Sequence, residues 1–293
     1  MRLFKDSLAR RGMSALGMLP GLLVLLIVIG LFFKSRAILG VQPLGKLLTS
    51  SSWHPMKGEF GLLPFIMGTV WVTLTALVLA VPVSILTAIY LSEFASRSVR
   101  ELARPIVDLL AGLPSVVYGV WGVILIVPLV GALAPLFGTY SSGYSILAGG
   151  IVLAVMIFPT IIHVSLEVFA SIPHALREAS LSLGATRWET ARHVVLRKGT
   201  PGILAASVLG FSRAFGETMA VLMVAGNVPA VPKSLFDPGY PLPALIANNY
   251  GEMMSIPRYD AALMMAALVL LAVVLFFNVL ARRILVRVER RAR

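Results

Sequence analysis

The chain has 293 residues, of which 58% are hydrophobic and only 13% are charged. This apolar share exceeds that of a soluble domain and predicts a polytopic membrane protein. The formal net charge of +12 would suit nucleic acid, but the basic residues lie between and beyond apolar runs, so we expect no nucleic-acid partner.

Six apolar runs are long enough to cross a lipid bilayer, because a hydrocarbon core about 30 Å thick needs roughly 20 apolar residues in a helix. The sequence therefore predicts an all-α protein with six transmembrane helices. The runs are Leu16 to Phe33, Leu62 to Leu91, Ile106 to Val130, Tyr144 to Leu166, Ile203 to Ala225 and Tyr259 to Ala281. The first run is longer than the apolar part of a signal peptide and lacks a clear A-x-A site, so we expect an uncleaved signal-anchor.

The Lys and Arg residues between the runs predict the orientation of the chain. Eighteen of them lie before the first run, in the second and fourth connections and in the C-terminal tail, against six in the other three connections. The positive-inside rule then places both termini in the cytoplasm. We accordingly divide the chain into an N-terminal tail, first helix and outer loop (1–61), a five-helix core (62–281) with a cytoplasmic loop (167–201), and a basic tail (282–293).

Two outer segments, 41–61 and 228–257, carry the Pro, Gly and polar residues of irregular or short re-entrant structure. Either segment could receive a soluble partner or serve as a plain connector.

Motifs for nucleotide, metal and thiol chemistry are lacking. Gly40 to Lys46 has the spacing GxxxxGK, but Leu47 stands where a Ser or Thr would hold magnesium, and no strand precedes it. The chain has no cysteine, and its four histidines show no paired metal-ligand spacing. We therefore expect a protein that is not an enzyme, with no nucleotide site, metal or cofactor of its own.

The cytoplasmic loop shows a helix–glycine–helix pattern. Helices are predicted over His174 to Leu183 and over Ala185 to Leu196, with Gly184 breaking the pattern between them. Such a pair at the membrane surface exposes apolar side chains that a partner would cover. An ordinary amphipathic surface loop is the alternative.

The fifth apolar run carries two charges, Arg213 and Glu217. Four residues separate them, so on a continuous helix they share a face and can pair. An ionisable residue near mid-membrane costs roughly 2.5 to 3.5 kcal/mol on insertion scales, so both need a reason to be there. Either they neutralise each other and lock neighbouring helices, or the guanidinium binds an oxyanion in a transport path.

The third run contains Asp108, Gly112 and Pro114. Asp108 is predicted near the inner N-terminus of its helix, where an acidic residue favours the helix dipole, although it could also face the path. The Gly and the Pro are predicted to bend the helix beside a cavity or under protein cover. Ser115 and Tyr118 are therefore candidates for pathway contacts.

The cytoplasmic loop resembles the EAA loop of importer-type ABC permeases. The resemblance rests on Glu178, Ala179 and Gly184, followed by V-x-L ten residues after the glycine. Ser180 and Arg197 depart from the usual Ala and Pro. The resemblance implies a coupling helix that docks on an ATPase subunit.

Two longer strings are more specific: GFSRAFGETMAV from Gly210 and DLLAGLPSVVYG from Asp108. They resemble the PstC-type permeases of bacterial phosphate ABC importers. This resemblance implies a type I permease fold in the bacterial inner membrane and a phosphate path that includes Arg213, Glu217 and Thr218. It also implies three kinds of partner: a PstA-type permease, two PstB-type ATPases and a PstS-type phosphate-binding protein.

Three alternatives stay open at this point. The same machine could carry another oxyanion, such as phosphonate, molybdate or sulfate. An ion-driven secondary carrier is disfavoured by the missing internal repeat and by the EAA loop. A non-transporting sensor or scaffold is the third.

Overall fold

The computed structural model of the protein describes residues 2–253, 256 and 258–292. Within that part of the chain, six helices are long and apolar enough to cross a membrane, which confirms the predicted all-α class. These spans are Gly12–Leu39, Leu63–Phe94, Ser115–Phe137, Ile146–Ser171, Arg187–Phe215 and Tyr259–Ile284.

The first part of the chain contains two long helices and a small outer unit between them. Its elements are α1 (Arg2–Leu39), α2 (Leu44–Thr49), the antiparallel strands β1 (Trp53–His54) and β2 (Glu59–Phe60), and α3 (Leu63–Ile89), which continues into a π turn at Tyr90–Phe94. The remaining helices are α4 (Arg97–Gly112), α5 (Ser115–Trp121), α6 (Val127–Leu133), α7 (Ile146–Ser171), α8 (His174–Ser182), α9 (Arg187–Glu189), α10 (Leu196–Phe215), α11 (Met219–Val224), α12 (Leu242–Asn249) and α13 (Tyr259–Ala292).

The outer segments are more ordered than predicted. In segment 41–61, Trp53 packs edge-to-face on Phe60 and Phe65, so the hairpin packs against the N-terminal end of α3. Segment 228–257 contains the short helix α12, which contacts α13 and α3. Residues 254, 255 and 257 of this segment lie outside the described residues. Aromatic packing on α3 orders both segments, since Trp53 of the first and Tyr240 of the second contact the ring of Phe65.

The third predicted run, Ile106 to Val130, is not one helix, and it breaks where Gly112 and Pro114 were predicted to bend it. The chain leaves helical geometry at Leu113, whose φ and ψ are −66° and 134°. Pro114 explains this, because a proline disfavours the helical conformation of the residue before it. The membrane span therefore begins at Ser115, and α4 is a separate amphipathic helix.

The fifth predicted run, Ile203 to Ala225, differs at both ends. It is interrupted over 216–218, between α10 and α11. At its start, the predicted loop helix Ala185 to Leu196 is not separate: α9, a π turn at Thr190–Val195 and α10 follow one another without a break. A capping box at Thr186 starts this helix, and Pro201 lies inside it without ending it.

Helix α7 lies at the centre of the bundle and packs against α3, α4 and α10. Small residues permit the closest approaches. A Cβ added at Gly150 would lie 2.5 Å from Cγ2 of Thr75 in α3, and one at Gly119 would lie 2.5 Å from Sδ of Met223. The α5–α11 contact therefore joins the two interrupted spans, and the α3–α7 contact joins the second span to the fourth.

Candidate functional site

The interruption of the fifth span is built by Gly216, Glu217 and Thr218. Glu217 Oε1 accepts a hydrogen bond of 3.1 Å from the backbone N–H of Ala220, in the first turn of α11. A carboxylate at this end of a helix satisfies an otherwise unpaired N–H and favours the helix dipole. Glu217 thus stabilises the C-terminal half of the broken span.

Arg213 lies in the last turn of α10, just before the interruption, and is half-buried. Its Nη1 donates a hydrogen bond of 2.7 Å to Thr160 Oγ1 in α7. At a rise of about 1.5 Å per residue, Thr160 lies roughly 21 Å from the start of α7 and roughly 16 Å from its end. The guanidinium is therefore attached near the middle of a membrane span.

Of the two interpretations of Arg213 and Glu217, mutual pairing is the one that the described structure contradicts. Because α10 ends at Phe215, the two residues do not share a helical face. Among the described side chains, no ion pair joins them: one bonds to a hydroxyl and the other to a backbone N–H. Because the two charges do not pair, most N–H donors of the Arg213 guanidinium have no hydrogen-bond partner in the described structure.

The other predicted pathway residues, Ser115, Tyr118 and Thr218, lie at the two helix breaks. Ser115 begins α5 and is half-buried, as is Thr218. Tyr118 is buried, and its Oη donates a hydrogen bond of 2.7 Å to the carbonyl of Leu110, so it ties α5 to α4. In the described structure, no hydrogen bond joins these three residues to Arg213, and their roles as pathway contacts stay predictions.

Asp108 is not at a helix N-terminus, so the prediction that it stabilises a helix dipole is wrong. Helix α4 begins eleven residues earlier, where Ser96 caps it by accepting from the N–H of Val99. Asp108 Oδ1 instead lies 2.5 Å from Nε2 of His163 in α7. Within the described residues, no group of three or more His, Asp and Glu side chains is placed to hold a metal ion, so this pair stands alone.

The predicted coupling residues lie on and after α8. Glu178 and Ala179 are exposed on the helix, and Gly184 follows it with a φ of 86°. This left-handed conformation, which favours glycine, ends α8 and turns the chain toward α9. Leu183 and Trp188 are exposed beside the turn. The helix–glycine–helix pattern is thus present, with its second helix continuous with the fifth span.

A largely buried ion pair, which the sequence pattern did not predict, holds α8 to the membrane helices. Arg177 donates to both carboxylate oxygens of Glu93, at 3.1 and 2.9 Å, in the π turn after α3. It also donates to the carbonyls of Ile172 and Phe169, at 2.7 and 2.8 Å, at the end of α7. The two side chains are only 13% and 12% exposed. A carboxylate at the very end of an apolar run was the available signal, but its partner lies 84 positions away.

Comparison with known proteins supplies the family. Residues 80–293 match the family described as "Binding-protein-dependent transport system inner membrane component". The chain is 40% identical over 251 residues to the probable ABC transporter permease protein YqgH of Bacillus subtilis (strain 168), covering 85% of this chain and 80% of that protein. It is 38% identical over 258 residues to the phosphate transport system permease protein PstC of Xylella fastidiosa (strain 9a5c), covering 83% and 79%.

A solved structure shows the fold. The bacterial alginate ABC transporter, in complex with an alginate-bound periplasmic protein, contains a chain that matches with a TM-score of 0.65 and 21% identity, over 97% of this chain and 99% of that chain. The architecture is therefore that of type I ABC importer permeases, which are membrane transport components rather than enzymes. Such permeases work with ATPase and binding-protein partners. The chain belongs to the family of binding-protein-dependent transport system inner membrane components, and it is an ABC importer permease.

Proposed function

We propose that this permease conducts inorganic phosphate into the bacterial cell as one half of a heterodimer with a PstA-type permease. Two PstB-type ATPases act on the cytoplasmic side, where both termini lie, and a PstS-type phosphate-binding protein delivers the anion to the other side. The likeness to proteins named as phosphate transport permeases supports the substrate.

The observation that carries the proposal is the guanidinium of Arg213. A guanidinium has five N–H donors in a planar fork, and the described contacts use one of them, on Thr160. Paired donors match the geometry of phosphate oxygens, and such charge-assisted bonds are strong in a water-poor site. Because Glu217 is bound to a backbone N–H, it does not compete for these donors in this conformation.

The continuous helix from α9 to α10 supports the route from ATP hydrolysis to this site. An ATPase that covers the exposed Leu183 and Trp188 would contact the start of the helix whose last turn holds Arg213. The helix then ends at Gly216, where the chain can change direction. Closure of the ATPases would thus move the guanidinium and switch the path between its two faces, with α8 and Gly184 forming the docking surface.

The test is uptake of labelled phosphate by proteoliposomes that contain this chain, its partner permease, both ATPases and the binding protein. We expect uptake to require ATP and the binding protein, and to resist competition by an excess of sulfate, molybdate or phosphonate. Phosphate uptake that persists without the ATPases would contradict the ATP-driven mechanism. Competition by one of the other oxyanions at concentrations where phosphate itself competes poorly would assign the machine to that anion.

A further inference from the structure

A second polar contact lies near Arg213, on the same central helix. His163 is three residues after Thr160 in α7, so the two side chains lie on one face of that helix, roughly 4.5 Å apart along its axis. Thr160 contacts Arg213 of α10, and His163 contacts Asp108 of α4. One face of α7 thus carries polar contacts to both neighbouring helices.

The exposure of this pair is unusual for its depth. His163 lies roughly 12 Å before the C-terminal end of α7, inside a membrane span. Its side chain is 41% exposed and that of Asp108 is 61% exposed. Titratable side chains at such a depth avoid lipid and face water-filled cavities or other protein, because exposure of a charge to hydrocarbon is costly. The surface that bears this pair is therefore not a lipid-facing surface.

We propose that His163 is a second oxyanion contact in the path, one step closer than Arg213 to the cytoplasmic end of α7. This inference rests on the proposed function, since it takes the ion at Arg213 to be phosphate. The imidazole N–H would donate to a phosphate oxygen as the ion leaves the guanidinium. Asp108 orients the ring and competes with the anion for it, so that binding stays weak enough for release. Conduction needs sites of this kind, which bind well enough to admit an ion and weakly enough to pass it on.

Cysteine labelling tests the position of His163, because the native chain contains no cysteine to react. His163→Cys would be placed in the complete complex in proteoliposomes and treated with a permanently charged methanethiosulfonate, which reacts with thiols in contact with water. Val78→Cys is the matched control: it lies in α3, is 72% exposed and is surrounded by apolar side chains that suit lipid. Modification of this chain is read by its mass, without ATP and with ATP plus vanadate.

We expect His163→Cys to react at least about tenfold faster than the control in one of the two nucleotide states, and inorganic phosphate to slow the reaction. A rate no faster than the control in both states would overturn the inference, even if phosphate uptake is normal, because a partner chain or lipid would then cover the pair. Fast labelling that sulfate or molybdate slows, and phosphate does not, would support the position in the path while contradicting the proposed substrate.

Uptake measurements test the contact itself. His163→Gln keeps an N–H for Asp108 but removes the ionisable ring, and we expect it to lower the maximal uptake rate per assembled complex by about tenfold. His163→Arg, which keeps a donor to anions, should restore part of that rate. Unchanged uptake by His163→Gln would overturn the role of the ring as an anion contact.

Discussion

Arg177 and Arg213 both bind α7, one at its end and the other near its middle, and they use their guanidinium groups differently. Arg177 makes four hydrogen bonds, two to Glu93 and two to backbone carbonyls. Arg213 makes one in the described structure, to the hydroxyl of Thr160. Arg177 thus uses four of its five N–H donors, whereas Arg213 uses one in the described structure.

The difference distinguishes an arginine that holds helices together from one that can bind an anion. A buried guanidinium whose donors are taken by a carboxylate and by helix-end carbonyls fixes α8 to α3 and α7, and it has little capacity left for a mobile anion. A half-buried guanidinium with one neutral partner keeps its charge available. We therefore propose that Arg177 transmits force and that Arg213 binds the anion. The variants below test that division, beginning with the largest expected effect.

Substitution of Arg177 should destabilise the complex. Arg177→Gln leaves Glu93 buried without its partner, and loss of one member of a buried pair costs about 3–5 kcal/mol. We expect a lower amount of assembled complex and a lower temperature of disassembly. The matched control is Arg97→Gln, because Arg97 pairs with Glu101 at 92% and 64% exposure, where an ion pair contributes about 0–1 kcal/mol. Equal amounts of assembled complex and equal disassembly temperatures for the two variants would contradict the role of Arg177 in holding α8 to the membrane helices.

Substitution of Arg213 should abolish transport and leave assembly of the complex intact. Arg213→Gln loses the charge that we propose binds the anion, and we expect phosphate uptake per complex to fall by about 100-fold, because charge-assisted hydrogen bonds contribute about 1.5–3 kcal/mol each. Arg213→Lys keeps the charge without the forked donors and should be intermediate. Failure of both variants to assemble would instead make Arg213 a structural residue.

A substitution in the turn after α8 should have a smaller effect, and its cause would be backbone geometry. Gly184→Val places a β-branched side chain at a φ of 86°, at a cost of about 1–2 kcal/mol, although no neighbour would meet its Cβ. We expect weaker retention of the ATPases on purification and about tenfold slower uptake. Gly184→Asn tolerates the left-handed conformation and serves as the control. Full retention of the ATPases by the Val variant would show that this turn does not set the docking surface.

The smallest effect is expected at the partner of Arg213. Thr160→Val keeps the shape of the side chain and removes the hydroxyl, so the guanidinium loses its one described hydrogen bond. We expect uptake to fall by about threefold to tenfold, less than on removal of the charge itself. Thr160→Ser retains the hydroxyl and should transport normally. A loss as large as that of Arg213→Gln would mean that Thr160 binds the anion directly.

The sequence predicts the parts of this fold that depend on local pattern. Run length and hydrophobicity locate all six spans, and Gly184 locates the turn after α8 because a left-handed position selects glycine. The break at Gly216 escapes such reasoning, since a glycine within an apolar run is common in membrane helices and does not by itself end one. Its structural role depends on the contact between Glu217 and α11.

The long-range pairs could not be predicted from spacing. Asp108 and His163 are 55 positions apart, and Arg177 lies 84 positions from Glu93. Only the packing of α7 against α3 and α4 brings these side chains together. The packing of α10 against α7 likewise gives Arg213 a partner on another helix, Thr160, where spacing alone had offered Glu217 as an i, i+4 partner.

The most direct test of the central claim compares the two arginines chemically. Phenylglyoxal modification of the complete complex in proteoliposomes, followed by mass analysis of this chain, reports whether each guanidinium is free to react. If Arg213 binds the anion, it is modified, inorganic phosphate protects it while chloride at equal ionic strength does not, and Arg177 stays unmodified. Modification of Arg213 that is indifferent to phosphate, or equal modification of both arginines, would contradict that role.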